Sequence, residues 1–288
     1  MISRIALLLL TVVVLSCCAI SSQKEDSAND SLKAEKGYSF VLKTDSFESK
    51  YLKRMIAFSL YYPKDSMIKD SLRSIILLNG YGGNEMSYPK SILSMDSLVN
   101  ALKICVINVN GMNSWYMNSP RLKDLQYESY LMEELLPYLS SKYKIYKSGN
   151  KRGIAGLSMG GFGAVYLGMK HPKYFSYVGS SSGGLDILPF PKNWGLNSIL
   201  GEQKDSLNQW LRNSPYYMID SAYTLYSVKL VIDCGSEDFF FTANNLFVEK
   251  LKAKGVKYEY IVSPGGHEWK YWNVHIPEHI VKFAEYVK

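Results

Sequence analysis

The feature that most restricts the fold is a five-residue turn, Gly156-Leu157-Ser158-Met159-Gly160, set between a short apolar run and a stretch of small residues. Arg152-Gly153-Ile154-Ala155 reads as a buried strand, and Met159-Gly160-Gly161-Phe162-Gly163-Ala164-Val165 as the start of a tightly packed helix. That is the strand-turn-helix setting of a nucleophile elbow. A serine at such a turn takes a strained backbone conformation, and glycines on either side remove the side chains that would collide there. The helix amino terminus also favours a developing negative charge nearby.

The rest of the chain agrees with that turn. From Tyr38 onward, short β-branched and aromatic stretches alternate with longer stretches at helical period, which implies an α/β domain with a largely parallel sheet. Strands are predicted at 39–43 and 52–62, as an antiparallel edge hairpin, then at 74–78, 103–109, 151–155, 177–181, 229–234 and 258–262. Helices are predicted at 88–101, 125–143, 160–170, 244–254 and 277–287, with Leu131, Leu135, Leu136 and Leu139 as a core stripe. Residues 183–227 break the rhythm with Pro189, Pro191, Trp194, Trp210 and Pro215, and read as a helical insertion over the site. With 288 residues and 47% hydrophobic side chains, one large domain over 37–288 accounts for the chain better than two small ones.

The first residues stand apart. Arg4 precedes an apolar run, Ile5 to Leu15, that is shorter than the roughly 20 residues needed to span a bilayer. Residues 1–16 read as a signal peptide, and Leu15-Ser16-Cys17 resembles a lipoprotein processing site, with Cys17 as the lipidated residue. Residues 17–36, polar and without periodicity, read as a flexible tether. The expected location is exported and membrane-anchored through that lipid, in the periplasm or at the cell surface. The net charge of +7 becomes +6 when residues 1–16 and their one charge, Arg4, are removed, and the lysines are scattered, so no nucleic-acid partner is expected. Cys105 and Cys234 lie in apolar runs, which argues against a disulfide framework. No metal site is expected either: His275 and His279 are four apart but flank Pro277 and lack a third ligand, so surface placement is expected for both.

A serine hydroxyl is a weak nucleophile until a base takes its proton, so an imidazole and an orienting carboxylate are sought downstream. Val231-Ile232-Asp233-Cys234-Gly235-Ser236-Glu237-Asp238 is a strand running into a loop with acids, and Asp238 lies past the strand end, whereas Asp233 lies within it. Ser263-Pro264-Gly265-Gly266-His267 follows the last predicted strand, and its glycines let the loop turn the imidazole back toward the serine. The candidate triad is Ser158, His267 and Asp238. An oxyanion hole needs two preorganised N–H groups: Met159, directly after the nucleophile, and Tyr81, in Asn79-Gly80-Tyr81-Gly82-Gly83, are the candidates.

With these residues in hand, the chain resembles the esterase family of α/β-hydrolases. That family takes in tributyrin esterases, S-formylglutathione hydrolases, mycolyltransferases, and the feruloyl and acetylxylan esterases of carbohydrate esterase family one. The resemblance covers roughly residues 38–288 and rests on five stretches: 77–83, 113–120, 156–161, 234–239 and 265–272. It implies an α/β-hydrolase fold, the triad and oxyanion residues just named, no cofactor, and an ester or acylated carbohydrate as substrate. Members often carry histidine where Asn79 stands and aspartate where Asn118 stands. Asn118, with Trp115 and Tyr116, is then a candidate for substrate binding, although packing beneath the loop remains open for the Trp-Tyr pair. The activity implied is removal of acetyl or feruloyl groups from plant polysaccharide. Two alternatives stay open: an acyltransferase with the same triad, and a non-catalytic carbohydrate-binding lipoprotein. S-formylglutathione hydrolysis sits poorly with an export signal.

Overall fold

The computed structural model describes residues 39–64, 71–220, 225 and 227–287; the predicted signal peptide, Cys17 and the tether lie outside the described residues. Short apolar runs become strands buried on both sides. In β3 (Ser74–Leu78) and β4 (Cys105–Val109) every residue is buried. Successive side chains of a strand point to opposite faces. Accordingly Ile75, Leu77 and Val106 join one cluster, with Ile276, Ile280 and Phe283, while Ile76, Leu78 and Ile107 join the other, with Leu131, Leu135 and Phe162. A sheet covered by helices on both faces is the reason these strands read as continuous hydrophobic runs rather than alternating ones.

Eight strands form one sheet. The others are β1 (Phe40–Ser49), β2 (Arg54–Pro63), β5 (Arg152–Leu157), β6 (Tyr177–Ser181), β7 (Lys229–Gly235) and β8 (Glu259–Ser263), in the spatial order β1-β2-β4-β3-β5-β6-β7-β8. Only β2 runs against the rest, pairing antiparallel with β1 and β4. The antiparallel edge hairpin is therefore present, but β1 is twice the predicted length. Thr44, Asp45 and Ser46, whose polarity reads as a turn, continue the strand. An edge strand with an exposed side tolerates such residues.

The helices are α1 (Ser87–Ser91), α2 (Met95–Leu102), α3 (residues 127–142, with a π-helical stretch Tyr130–Leu135), α4 (Met159–Lys170), α5 (Leu196–Leu200), α6 (Gln203–Asn213), α7 (Pro215–Met218), α8 (Phe241–Ala253) and α9 (Trp269–Tyr286). The helix predicted at 88–101 is two, because Ile92 leaves helical conformation. The four leucines of α3 are all core. The last helix starts at Trp269, eight residues before the prediction, with Pro277 inside it. Proline in a helix interior removes a hydrogen bond and crowds the preceding turn. Here burial of Tyr271, Trp272 and Ile276 ahead of it and Ile280 and Phe283 behind it holds the helix continuous.

That longer helix corrects the expectation for its histidines. His275 and His279 are buried, not at the surface. His279 Nε2 lies 2.7 Å from Asp233 Oδ2 and its Nδ1 2.7 Å from the Tyr177 hydroxyl, while Ser181 Oγ donates to Asp233 Oδ1 at 2.6 Å. A strand-internal aspartate is thus satisfied by residues from β6 and α9. Cys105 and Cys234 are buried free thiols, and burial pushes both pKa values up.

A second polar cluster fastens α3 to the end of α4. Glu128 accepts from Lys170 Nζ at 2.7 Å and from the Tyr166 hydroxyl at 2.8 Å, and contacts His171 Nε2 at 2.8 Å. Burial works to raise the Glu128 pKa, but His171, Lys170 and Tyr166 outweigh it and hold the carboxyl at about 2, against an ordinary 4.5. A carboxylate whose folded pKa is depressed contributes stability that is full above the unfolded pKa and lost as pH falls through the folded one. Acid unfolding should therefore steepen between pH 4.5 and about 2. In Glu128→Gln, that part of the pH dependence of Tm should vanish.

Candidate active site

The parallel strands bring their carboxyl ends to one edge, and the candidate residues gather there. β5 ends in Leu157 and α4 begins at Met159, which leaves Ser158 alone at the corner with φ +54° and ψ −119°. A non-glycine residue with positive φ is uncommon and costs energy. Two features enforce it. The Ser158 N–H donates to Ser181 O at 2.9 Å, and α4 runs so close to β3 that a Cβ on Gly160 would stand 1.8 Å from Leu78 O. Gly160→Ala should accordingly lower stability by about 3 kcal/mol or more, since the obstacle is backbone. Thermal unfolding checks this; an unchanged Tm would mean that α4 can shift freely.

His267 and Asp238 come to Ser158 from the loops after β8 and β7. His267 Nε2 lies 2.8 Å from Ser158 Oγ, and His267 Nδ1 lies 2.8 Å from Asp238 Oδ2. An ionised carboxylate can only accept, so Nδ1 carries the proton and Nε2 is left to accept from the serine. The other Asp238 oxygen accepts the Phe240 N–H at 2.8 Å. One carboxylate thus both orients the imidazole and caps the turn into α8. The Asp238 side chain is fully buried. The two loops are tied together where the Glu237 N–H donates to Gly265 O at 3.0 Å. Phe239 lies over the imidazole with ring centroids 4.2 Å apart, and Trp272 meets it edge-on at 4.8 Å.

The loop after β3 lies against the nucleophile: a Cβ on Gly80 would meet Leu157 Cδ1 at 2.7 Å and Ser158 Cβ at 3.5 Å. Its neighbours are held from several sides. Gly80 O accepts from Gly83 N–H at 3.0 Å and from Asn79 Nδ2 at 2.8 Å, and the Gly82 N–H donates to Asn113 Oδ1 at 2.6 Å. Asn79 Oδ1 accepts from Gly111 N–H at 2.9 Å, and the Tyr116 hydroxyl donates to Asn79 O at 2.7 Å. Tyr81 lies between Gly80 and Gly82 of this frame. Met159 is the first residue of α4, so its N–H has no acceptor within that helix.

The predicted substrate residues fare differently. Tyr116 is fully buried and props the Asn79 carbonyl, so it is packed beneath the loop. Trp115 is also buried; its Nε1–H donates to Trp194 O at 3.2 Å. Asn118 spends both ends of its amide on Ser129, giving Nδ2–H to Ser129 Oγ and accepting Ser129 N–H, each at 3.0 Å. Its side chain fastens the loop to α3. All three therefore build the frame. The segment that carries them is strained, with Met112, Asn113, Trp115 and Tyr116 all at positive φ. Sequence reasoning missed the framing roles of Asn79 and Asn113 and the ring contacts of Phe239. Both asparagines lie in stretches that carry the resemblance, 77–83 and 113–120, but nothing local shows that their side chains hold the loop. Among the described residues, no group of three potential ligands could hold a metal ion.

The comparisons accord with this geometry. The family model described as "Putative esterase" matches residues 49–283. An acetyl esterase from Caldicellulosiruptor saccharolyticus is 27% identical over 265 residues, 80% of this chain and 93% of that protein. An endo-1,4-beta-xylanase/feruloyl esterase from Xylanibacter ruminicola is 28% identical over 208 residues, 69% of this chain but 24% of that longer protein. Among solved structures, a ferulic acid esterase superposes with a TM-score of 0.75 at 25% identity, covering 87% of this chain and 100% of that one. A serine held at a strained corner beside an imidazole, on a mostly parallel sheet that superposes on that ferulic acid esterase, leads with the family match to one conclusion: the chain belongs to this esterase family, has the α/β-hydrolase fold, and is a carboxylic ester hydrolase.

Proposed function

We propose that the protein is an exported serine esterase that removes acetyl or feruloyl groups from plant polysaccharide. The observation that carries the catalytic part is the continuous row Ser158 Oγ, His267, Asp238, with both links at 2.8 Å. Ser158 Oγ attacks the ester carbonyl carbon while His267 Nε2 takes its proton. The N–H groups of Tyr81 and Met159 receive the oxyanion. When the intermediate collapses, the carbon–oxygen bond to the alcohol breaks and His267 returns the proton to the departing oxygen. Water, deprotonated by the same imidazole, then splits the acyl-enzyme and frees the acid and Ser158. Asp238 keeps Nδ1 protonated throughout and stabilises the imidazolium.

The polysaccharide reading draws on the acetyl esterase and xylanase/feruloyl esterase relatives. The export reading draws on the apolar run before Cys17. A fluorophosphonate probe should label the wild type at Ser158, and acetyl, butyryl and feruloyl esters of simple and xylan-type alcohols define the substrate. A chain that is not labelled and hydrolyses none of them overturns the assignment. Asp238→Asn should keep the fold and lower kcat by about 10⁴-fold, because an amide there favours the wrong imidazole tautomer. In cells, Cys17→Ala should move the protein from the membrane to the soluble fraction; if it stays with the membrane, the lipid anchor is wrong.

A further inference from the structure

Three rings from three separate loops link up beside His267: Phe239 and Tyr81 are half-exposed, and Trp194 is partly buried. Phe239, directly after the acid, is 52% exposed with its ring over the imidazole, and Tyr81, on the oxyanion loop, is 44% exposed. The third is Trp194, from the insertion, whose ring lies 5.8 Å from Phe239 at an interplanar angle of 19°. The Tyr81 hydroxyl reaches to within 3.9 Å of where a Cβ on Gly195 would stand, so the oxyanion loop and the insertion meet at this turn. Large exposed apolar side chains that cluster beside a reacting centre need a reason, because scattering them singly is the ordinary pattern.

The turn that presents Trp194 is costly. Trp194 is at φ +48° and Gly195 at φ +68°, and a bulky residue in the left-handed region is a strained one. The strain is held by Trp115, itself at φ +52° and buried, whose Nε1–H grips the Trp194 carbonyl. Phe190 and Phe240 pack on the same indole with centroids 5.3 Å and 5.4 Å away. Two tryptophans in uncommon conformations therefore serve to set one ring beside Phe239.

The direction of the chemistry decides which part of the substrate these rings meet. The acyl carbon must lie at Ser158 Oγ with its oxygen toward the Tyr81 and Met159 N–H groups. The departing oxygen must lie at His267 Nε2, since it takes its proton there. A ring over His267, and a second ring beyond it, accordingly stand on the leaving-group side. We propose that Phe239, Trp194 and Tyr81 form a subsite for the alcohol half of the ester, and that the alcohol it takes is a sugar hydroxyl whose ring offers a flat C–H face. This assignment rests on the esterase mechanism and the polysaccharide substrate proposed above, and adds which residues meet the sugar.

The test separates the two halves of the ester. kcat/KM is measured on methyl acetate, methyl butyrate and a monoacetylated methyl xyloside, for the wild type, Trp194→Ala, Trp194→Phe and Phe239→Leu. In Trp194→Ala the ratio of xyloside to methyl acetate values should fall by about tenfold, the loss of one stacked ring, while the ratio of butyrate to acetate moves by less than about twofold. Trp194→Phe should restore most of the alcohol ratio, and Phe239→Leu, at a half-exposed position, gives the same reading should Trp194→Ala fail to fold. A butyrate-to-acetate ratio that falls instead places the rings on the acyl side and overturns the proposal, as do two unmoved ratios. A wild type that hydrolyses all three esters through a labelled Ser158 while the ratios stay put removes the subsite alone. A wild type with no hydrolysis and no labelling removes the mechanism, and the subsite with it.

Discussion

Replacing Ser158 by alanine is expected to lower kcat for short-chain esters by about 10⁴-fold or more, with the fold intact and KM little changed. The loss is large because, in the proposed mechanism, the nucleophile, base and orienter act as a unit. Without the hydroxyl, His267 Nε2 has no proton to take at 2.8 Å, and only attack by water beside the oxyanion hole remains. The fold should survive because Ser158 is held by its N–H to Ser181 O and by its neighbours, not by its side chain. Alanine at φ +54° is no less comfortable than serine. Steady-state kinetics and circular dichroism together make the check, and a variant with full hydrolysis would remove Ser158 from the mechanism.

Replacing Asp233 by alanine should have the largest effect on stability, about 3–5 kcal/mol, because it leaves the buried His279 and Ser181 without their acceptor. For a domain of this size that is a fall in Tm of roughly 6–20 °C. The change should reach the active site as well. Ser181 anchors the Ser158 N–H through its carbonyl and Asp233 through its hydroxyl, while Asp233 O receives the Ser182 N–H at 2.8 Å. The partner helix α9 begins two residues after His267. Loosening the buried cluster should therefore reduce kcat along with Tm. A Tm within about 2 °C of the wild type would show that water or a repacked side chain meets the buried groups.

These two aspartates show what could be read along the chain and what could not. Asp238 was legible because it follows a strong apolar run and precedes a helix, so its position at the sheet edge follows from local order. Asp233 read as an oddity inside a strand. Its partners lie 46 and 52 residues away, on α9 and β6, and no local pattern links them. The same limit explains His279, whose neighbour Pro277 suggested a helix start and a solvent-facing residue. Burial of five large side chains around the proline overrode that local preference. β3 and β6 were readable to the residue, at 74–78 and 177–181, since each is a short run buried on both faces. β1 was not, because an exposed edge admits the polar residues that elsewhere signal a turn.

By itself the sequence pointed to the candidate residues and their order: a strand, a serine between glycines, a packed helix, and later an acid and a histidine, each just past a strand. Parallel strands put their carboxyl ends on one edge, so that order along the chain becomes proximity in space. Only the tertiary structure decided what frames the serine and which rings lie beside the imidazole. Trp115 and Tyr116 became supports, Asn118 a fastener, and Phe239 stayed half-exposed over His267 with Trp194 stacked against it. The physical reason is that local order sets which backbone can turn, whereas the exposure of a ring depends on every loop that comes to lie against it.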